Sequence, residues 1–282
     1  MSTQLHETAS QVVEAQTITF MGQRLRYALI GPESASNTLL VFNGIGASLD
    51  TAIPFAQHFR DTRILTFDVP GVGGSPAPAL PYRMTWLTRM AIRLMDALGI
   101  GQVDVFGVSW GGALAQQFAH DFPGRTRSLT LAATSAGLVM VPGDPRVLIK
   151  LATPKRYVTP DYMLTIAPHI YGGRLRTNTD ILNAHAAVMK PNSQRGYLYQ
   201  LLAGMGWTSW LWLPQIKVPV LVLMGDDDPI VPLINGRILV SRLPDARLEV
   251  MDCGHLFILT DPQGTSALIE QFLRDARKDA AA

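Results

Sequence analysis

The chain has a single cysteine, Cys253, so no internal disulfide can form, which suits a reducing compartment. Charge is sparse: charged residues make up 16% and the formal net charge is +2. There is no basic run of the kind that nucleic acid or an anionic membrane needs, so neither partner is expected. No uninterrupted apolar stretch reaches the roughly 18 residues of a membrane span. The first ten residues lack a basic segment followed by an apolar core. No secretory leader is therefore expected, and the cytoplasm is the expected location. No histidine pair has metal-ligand spacing and there is no C-x-x-C, so neither a metal nor another cofactor is expected. The glycine-rich stretch Asp68-Val69-Pro70-Gly71-Val72-Gly73-Gly74-Ser75 lacks the Gly-Lys-Ser/Thr ending of a P-loop. It does not form a G-x-G-x-x-G turn opening a helix either, so it reads as a structural loop rather than a phosphate cradle. Internal repeats and low-complexity segments are absent.

What is present is enough apolar material for a large core: 48% of 282 residues. Short runs rich in Val, Leu and Phe end at Gly, Asp, Asn or Ala-Thr, as buried strands do: Leu39–Phe42, Ile64–Phe67, Val103–Phe106, Leu129–Ala132, Val220–Met224 and Leu248–Met251. Between them lie amphipathic stretches with helical spacing. Thr85–Leu98 is followed by Gly99 as a C-terminal cap, Ala113–Phe122 stops before Pro123, and Thr265–Lys278 carries Leu268, Ile269, Phe272 and Leu273 on one side. Strands alternating with helices predict an α/β fold, a mostly parallel sheet covered on both faces.

The alternation breaks after about Gly137 and resumes at Val218. The intervening stretch is too long for a loop. It is rich in aromatic and sulfur-bearing side chains, among them Tyr157, Tyr162, Met163, Tyr171, Tyr197, Tyr199, Met205, Trp207, Trp210 and Trp212. The expected organisation is a core of residues 20–136 and 215–282 with a mainly helical insertion at 137–214.

Chemistry concentrates at strand ends. Gly107-Val108-Ser109-Trp110-Gly111 follows a predicted strand and opens a predicted helix, the setting of a nucleophile elbow. Such a turn lifts the serine hydroxyl above the sheet edge, and the helix N-terminus faces developing negative charge. A serine needs a base, and an imidazole base needs a carboxylate to fix its tautomer. His255 closes a late strand in Cys253-Gly254-His255. His6, His58, His120, His169 and His185 lie on terminal, helical or insertion segments. Asp226, Asp227 and Asp228 compete for the carboxylate role. Asp228, past the turn and held by Pro229, is preferred, with Asp226 the fallback. A plain helix cap at Ser109 and a loop histidine at 255 are the plainer alternatives. Cys253 reads as buried and inert rather than reactive.

Two backbone N–H groups must hold an oxyanion. The residue after the nucleophile, Trp110, supplies one. The turn Phe42-Asn43-Gly44-Ile45-Gly46 offers the second at Ile45. Candidates to line the substrate pocket are Asn43, Trp110, Trp207 and Trp210.

These motifs resemble the α/β hydrolases. Several segments are similar, more narrowly, to the intracellular depolymerases of medium-chain-length polyhydroxyalkanoates. They are Phe42–Gly46, Asp68–Ser75, Gly107–Gly112, Leu131–Thr134, Val139–Gly143, Arg156-Tyr157, Ala167-Pro168, Ile170–Gly173 and Gly225–Ile230. Asn43 stands where the broader fold usually has histidine and agrees with this narrower group. The resemblance implies an α/β-hydrolase fold with a helical lid and Ser109, Asp228 and His255 as nucleophile, acid and base. It implies hydrolysis of poly(3-hydroxyalkanoate) esters to 3-hydroxy acids or oligomers, with a hydrophobic polyester granule or a medium-chain ester as partner. An exposed apolar insertion would suit granule adsorption or a homodimer. A small-molecule carboxylesterase or C–C bond hydrolase with the same triad, and a non-catalytic binding protein on this fold, are the competing expectations. Dehalogenases and epoxide hydrolases are disfavoured, because they place Asp at the elbow.

Overall fold

The computed structural model describes residues 13–152, 160–188 and 193–281. Arg156-Tyr157 falls outside them. Eight strands form one sheet in the order β1-β2-β4-β3-β5-β6-β7-β8. They are β1 (Gln16–Phe20), β2 (Gln23–Ile30), β3 (Thr38–Phe42), β4 (Arg63–Phe67), β5 (Val103–Val108), β6 (Thr126–Ala132), β7 (Val220–Gly225) and β8 (Ala246–Met251). From β4 through β8 every pairing is parallel, whereas β1–β2 and β2–β4 are antiparallel.

All six strands expected from apolar runs are present. β1 carries no such run; β2 does, at Tyr27–Ile30 before Gly31, a run not counted among the six. Gln16–Phe20 is half exposed at the sheet's edge, so its side chains alternate and its pattern is weak. A two-residue turn joins the pair, with φ of +50° at Met21 and +77° at Gly22. That geometry matches the twist of an antiparallel hairpin.

Helices cover both faces of the sheet. On one side α2 (Met84–Ala97) and α3 (Trp110–Asp121) bury Leu87, Leu94, Leu114 and Phe118 against Phe42, Val105 and Leu131. On the other, α1 (Leu49–Ala56), a C-terminal helix described below and the short helix before it bury Phe55, Phe257, Ile269 and Leu273 against Leu39, Phe106 and Leu221. Burial on both faces is why β3 to β7 read as continuous apolar runs.

The segment between β6 and β7 is helical: α4 (Pro145–Ala152), α5 (Pro160–Tyr171), α6 (Thr179–Val188) and α7 (Gln194–Gly204). Its neck is a strand-like clasp. Gly137 bridges Thr208, Leu138 N–H donates to Trp207 O at 2.8 Å and Ser209 N–H donates to Ala136 O at 3.1 Å. Val147, Ile166, Ile170, Tyr171 and Leu182, from α4 to α6, form a small cluster of their own. Tyr199 and Ala203 of α7 instead join the main core. The chain closes with α8 (Ile234–Arg242), α9 (Phe257–Thr260) and α10 (Pro262–Ala281). Among the described residues no helix is long and apolar enough to cross a membrane.

Candidate active site

Ser109 sits between β5 and α3 with φ +56° and ψ −120°. A non-glycine residue held there costs about 1–3 kcal/mol, a strain that persists only where the surroundings over-determine it. Three bonds do so: Ser109 N–H to Ala132 O at 2.8 Å, and Gly112 N–H and Thr134 Oγ1–H to Ser109 O at 2.9 and 2.7 Å. The flanking glycines are steric necessities. A methyl group at Gly107 would strike Gly111 O, and one at Gly111 would strike Phe42 O.

The loops after β7 and β8 meet beside it. His255 Nδ1 lies 2.7 Å from Asp228 Oδ2, with side chains 4% and 0% exposed. Asp228 Oδ1 accepts from the N–H groups of Ile230 and Val231 at 2.8 and 3.0 Å. A carboxylate fixed in this way leaves its other oxygen to orient the imidazole. The neighbouring acids are engaged elsewhere. Asp226 Oδ1 accepts from Cys253 N–H at 3.0 Å. Asp227 accepts from Gly173 N–H at 2.7 Å and pairs with Arg176. The Arg176 guanidinium and the Gly173 N–H hold the Asp227 carboxyl below its usual range. Burial pushes the Cys253 thiol up to about 12, helped by the nearby Asp226 carboxylate, so the thiol stays protonated at neutral pH and nucleophilic chemistry there is suppressed.

Ser109 and His255 both line a cavity of about 300 Å³. The turn Asn43–Gly46 forms part of its lining, and its wall is largely aliphatic, including Leu148, Leu151, Leu201, Ile230 and Leu259. Asn43 is 8% exposed. Its amide reaches Ser48 O and Thr66 Oγ1, both at 3.4 Å. The Asp68–Ser75 loop supports this side from beneath: the buried Asp68 accepts from Leu49 N–H and Gly74 N–H, both at 2.7 Å, and from Arg26 at 3.1 Å.

Trp207 and Trp210, expected in the pocket, do not line this cavity, and neither does Trp110. Trp207 is held at the neck, donating Nε1–H to Gln117 Oε1 at 2.8 Å and packing edge-on to Trp212. Trp210 lies 4.6 Å beneath the Arg242 guanidinium. The Trp110 indole is drawn aside by a 3.0 Å bond from Nε1–H to Gln200 O. Large aromatic surface satisfied by core partners is structural here, which composition alone did not distinguish. Conversely, the sequence marks Tyr171 only as part of an aromatic stretch and of the Ile170–Gly173 segment of the resemblance, with no role of its own. Its carbonyl accepts His255 N–H at 2.7 Å and its ring lies parallel to the imidazole, 6.3 Å between centroids. No spacing signal marks it, because the contact joins residues 84 positions apart.

Residues 37–262 match the family model of the alpha/beta hydrolase fold. The chain belongs to that family. This hydrolase is 48% identical over 266 residues to the poly(3-hydroxyalkanoate) depolymerase of Ectopseudomonas oleovorans, with 94% of each chain covered. It is 27% identical over 262 residues to 3-oxoadipate enol-lactonase 2 of Acinetobacter baylyi, covering 92% of this chain and 96% of the other. Among solved structures, the enol-lactonase from Burkholderia xenovorans LB400 superposes with a TM-score of 0.80 at 24% identity, covering 92% of this hydrolase and 100% of that chain. The eight-stranded, mostly parallel sheet flanked by helices fits that family.

Proposed function

We propose that this hydrolase is a serine esterase that depolymerises medium-chain-length poly(3-hydroxyalkanoate). One observation carries the esterase reading: a buried, 2.7 Å Asp228–His255 pair opens onto the same apolar cavity as Ser109. The polyester preference rests on the 48% identity to a depolymerase over nearly the whole chain.

The chemistry follows from the geometry. Asp228 holds the Nδ1 side of the imidazole, leaving Nε2 to take the Ser109 proton as Oγ attacks the ester carbonyl. The tetrahedral oxyanion is received by the backbone N–H groups of Trp110 and Ile45, at the N-terminus of α3 and on the facing turn. The C–O bond then breaks, and the 3-hydroxyl of the departing chain takes the proton from His255. Water enters, gives its proton to the same imidazole and attacks the acyl-serine. Collapse of the second tetrahedral adduct frees the acid and returns the proton to Ser109.

The helices between β6 and β7 act as a lid over this centre, and their aliphatic side chains receive the alkyl branches of the polymer. Burying one more methylene contributes about 0.8 kcal/mol, so kcat/KM should rise about fourfold per carbon until the cavity fills. Exposed Leu198, Leu202, Met205 and Leu211 suit adsorption to a hydrophobic granule, the expected setting in a cytoplasm that stores such polymer.

The test is digestion of a medium-chain polymer latex with identification of the released acids, alongside p-nitrophenyl acetate and octanoate. Release of 3-hydroxy acids or oligomers and a preference for octanoate are expected. Turnover confined to the acetate and other soluble substrates would reduce the reading to a small-molecule esterase. Failure of an organophosphonate to label Ser109 would remove catalysis altogether.

A further inference from the structure

Helix α7 reaches the turn that is to receive the oxyanion. Gln200, 1% exposed, accepts Gly46 N–H on its side-chain Oε1 at 2.9 Å and the Trp110 indole N–H on its main-chain oxygen at 3.0 Å. One residue of the β6–β7 segment therefore touches both the turn after β3 and the residue that follows Ser109. The turn it holds is closed by Ala47 N–H donating to Gly44 O at 3.1 Å, with φ +72° at Gly46 in its third position. That sign is the mark of a type II turn. Types I and II differ by a flip of the peptide between the two central residues, here Ile45 and Gly46. The N–H of that peptide is the group Gln200 grips, so its side-chain oxygen selects which way the peptide faces.

We propose that Gln200 is a positioning residue of the oxyanion hole. Through the Gly46 N–H it pins the type II turn from the side of α7, and so holds in place the backbone of the preceding peptide, which carries the Ile45 N–H. This rests on the esterase reading above. Preorganised donors are effective because they need no reorientation as charge develops. A turn released at Gly46 is free to shift or to flip, which would swing the Ile45 carbonyl to where the Gly46 N–H now points; it would bind ground-state ester almost as well and stabilise the tetrahedral state less. The loss should thus appear in kcat more than in KM.

The experiment compares wild type, Gln200→Met and Gln200→Ala on p-nitrophenyl octanoate, with inhibition by octaneboronic acid. The boron takes an electron pair from Ser109 Oγ as the proton passes to His255, which makes a stable tetrahedral mimic. Both variants should lose about 10- to 100-fold in kcat, short of the 100- to 1,000-fold that follows outright removal of a donor. KM should stay nearly constant and boronate affinity should fall in parallel with kcat/KM. Tyr199→Phe is the control. It removes, from the same helix, a hydroxyl that donates to Ala79 O and accepts from Arg195 Nε, without touching the turn, and should leave both quantities near wild type. Wild-type kcat and boronate affinity in either folded Gln200 variant would overturn the proposal. So would equal losses in Tyr199→Phe, or a rise in KM with kcat unchanged. Absence of ester turnover by the wild type would defeat the esterase reading itself. Turnover that Ser109→Ala abolishes but the Gln200 variants keep would defeat only the role of Gln200.

Discussion

Strand β5 carries a buried carboxylate at its start and the strained serine just past its finish, about 16 Å apart along the chain. The two ends of the sheet use buried acid in opposite ways. At the start, Asp104, with a side chain 0% exposed, meets Arg127 at 3.0 Å, Arg277 at 3.3 Å and the Ser128 hydroxyl at 2.8 Å. Two permanently charged guanidiniums fix its role as a tie between β5, β6 and α10. At the finish, Asp228 is equally buried but meets one imidazole and two main-chain N–H groups. Its partner is a group that can gain and lose a proton. The carboxylates alike are inert or useful according to whether the cation opposite can titrate.

The sharpest way to break this contrast is at Ser109. Ser109→Gly should abolish ester turnover, a loss of about 10⁴-fold or more. It should also raise stability by about 1 kcal/mol in urea denaturation, because glycine accepts φ +56° without strain. Next come the paired acids. Asp228→Asn should lower kcat by up to about 10⁴-fold, as expected when the imidazole is left in the wrong tautomer. Asp104→Asn should leave kcat and KM unchanged and cost about 1–3 kcal/mol of stability, since it takes the charged partner from two part-buried guanidiniums. A loss of kcat in Asp104→Asn with stability intact would dissolve the distinction. The smallest effect is expected at the half-exposed Arg176–Asp227 pair, which joins the β6–β7 segment to the loop after β7. Arg176→Ala should cost at most about 1 kcal/mol. The Asp227 carboxyl is held below its ordinary value, so the contribution is complete above the ordinary carboxylate range and disappears as pH falls through the lowered value. The difference in Tm between variant and wild type, measured from neutral pH down to about pH 3, follows it.

Much of this was legible in the residues. Buried strands announce themselves because both faces are covered, and Leu39–Phe42 and Val220–Met224 lie within their strands. The elbow was readable because Gly107 and Gly111 answer to backbone collisions that no other residue survives. Asp228 was less so. Three consecutive acids carry the same chemistry, and only long-range partners, Cys253 for Asp226 and Arg176 for Asp227, separate them. The pocket was read least well. Tryptophans suggest a pocket lining because they are large and apolar. Yet Trp207 and Trp210 are held by Gln117 and Arg242, while the actual wall includes Leu148, Leu151 and Leu259. Nothing in a leucine's local neighbourhood tells which cavity it faces.

Helix α7 also meets the Asp68–Ser75 loop backbone to backbone. A side chain on Gly196 would strike Gly71 O, and Ser193 Oγ donates to that same oxygen at 3.1 Å. The helical segment is consequently not an exchangeable cassette. A chimaera that grafts residues 137–214 from a distant relative onto this sheet must also carry that relative's counterparts of Gly71 and Gly46, or the graft will seat badly and leave the reaction centre misassembled.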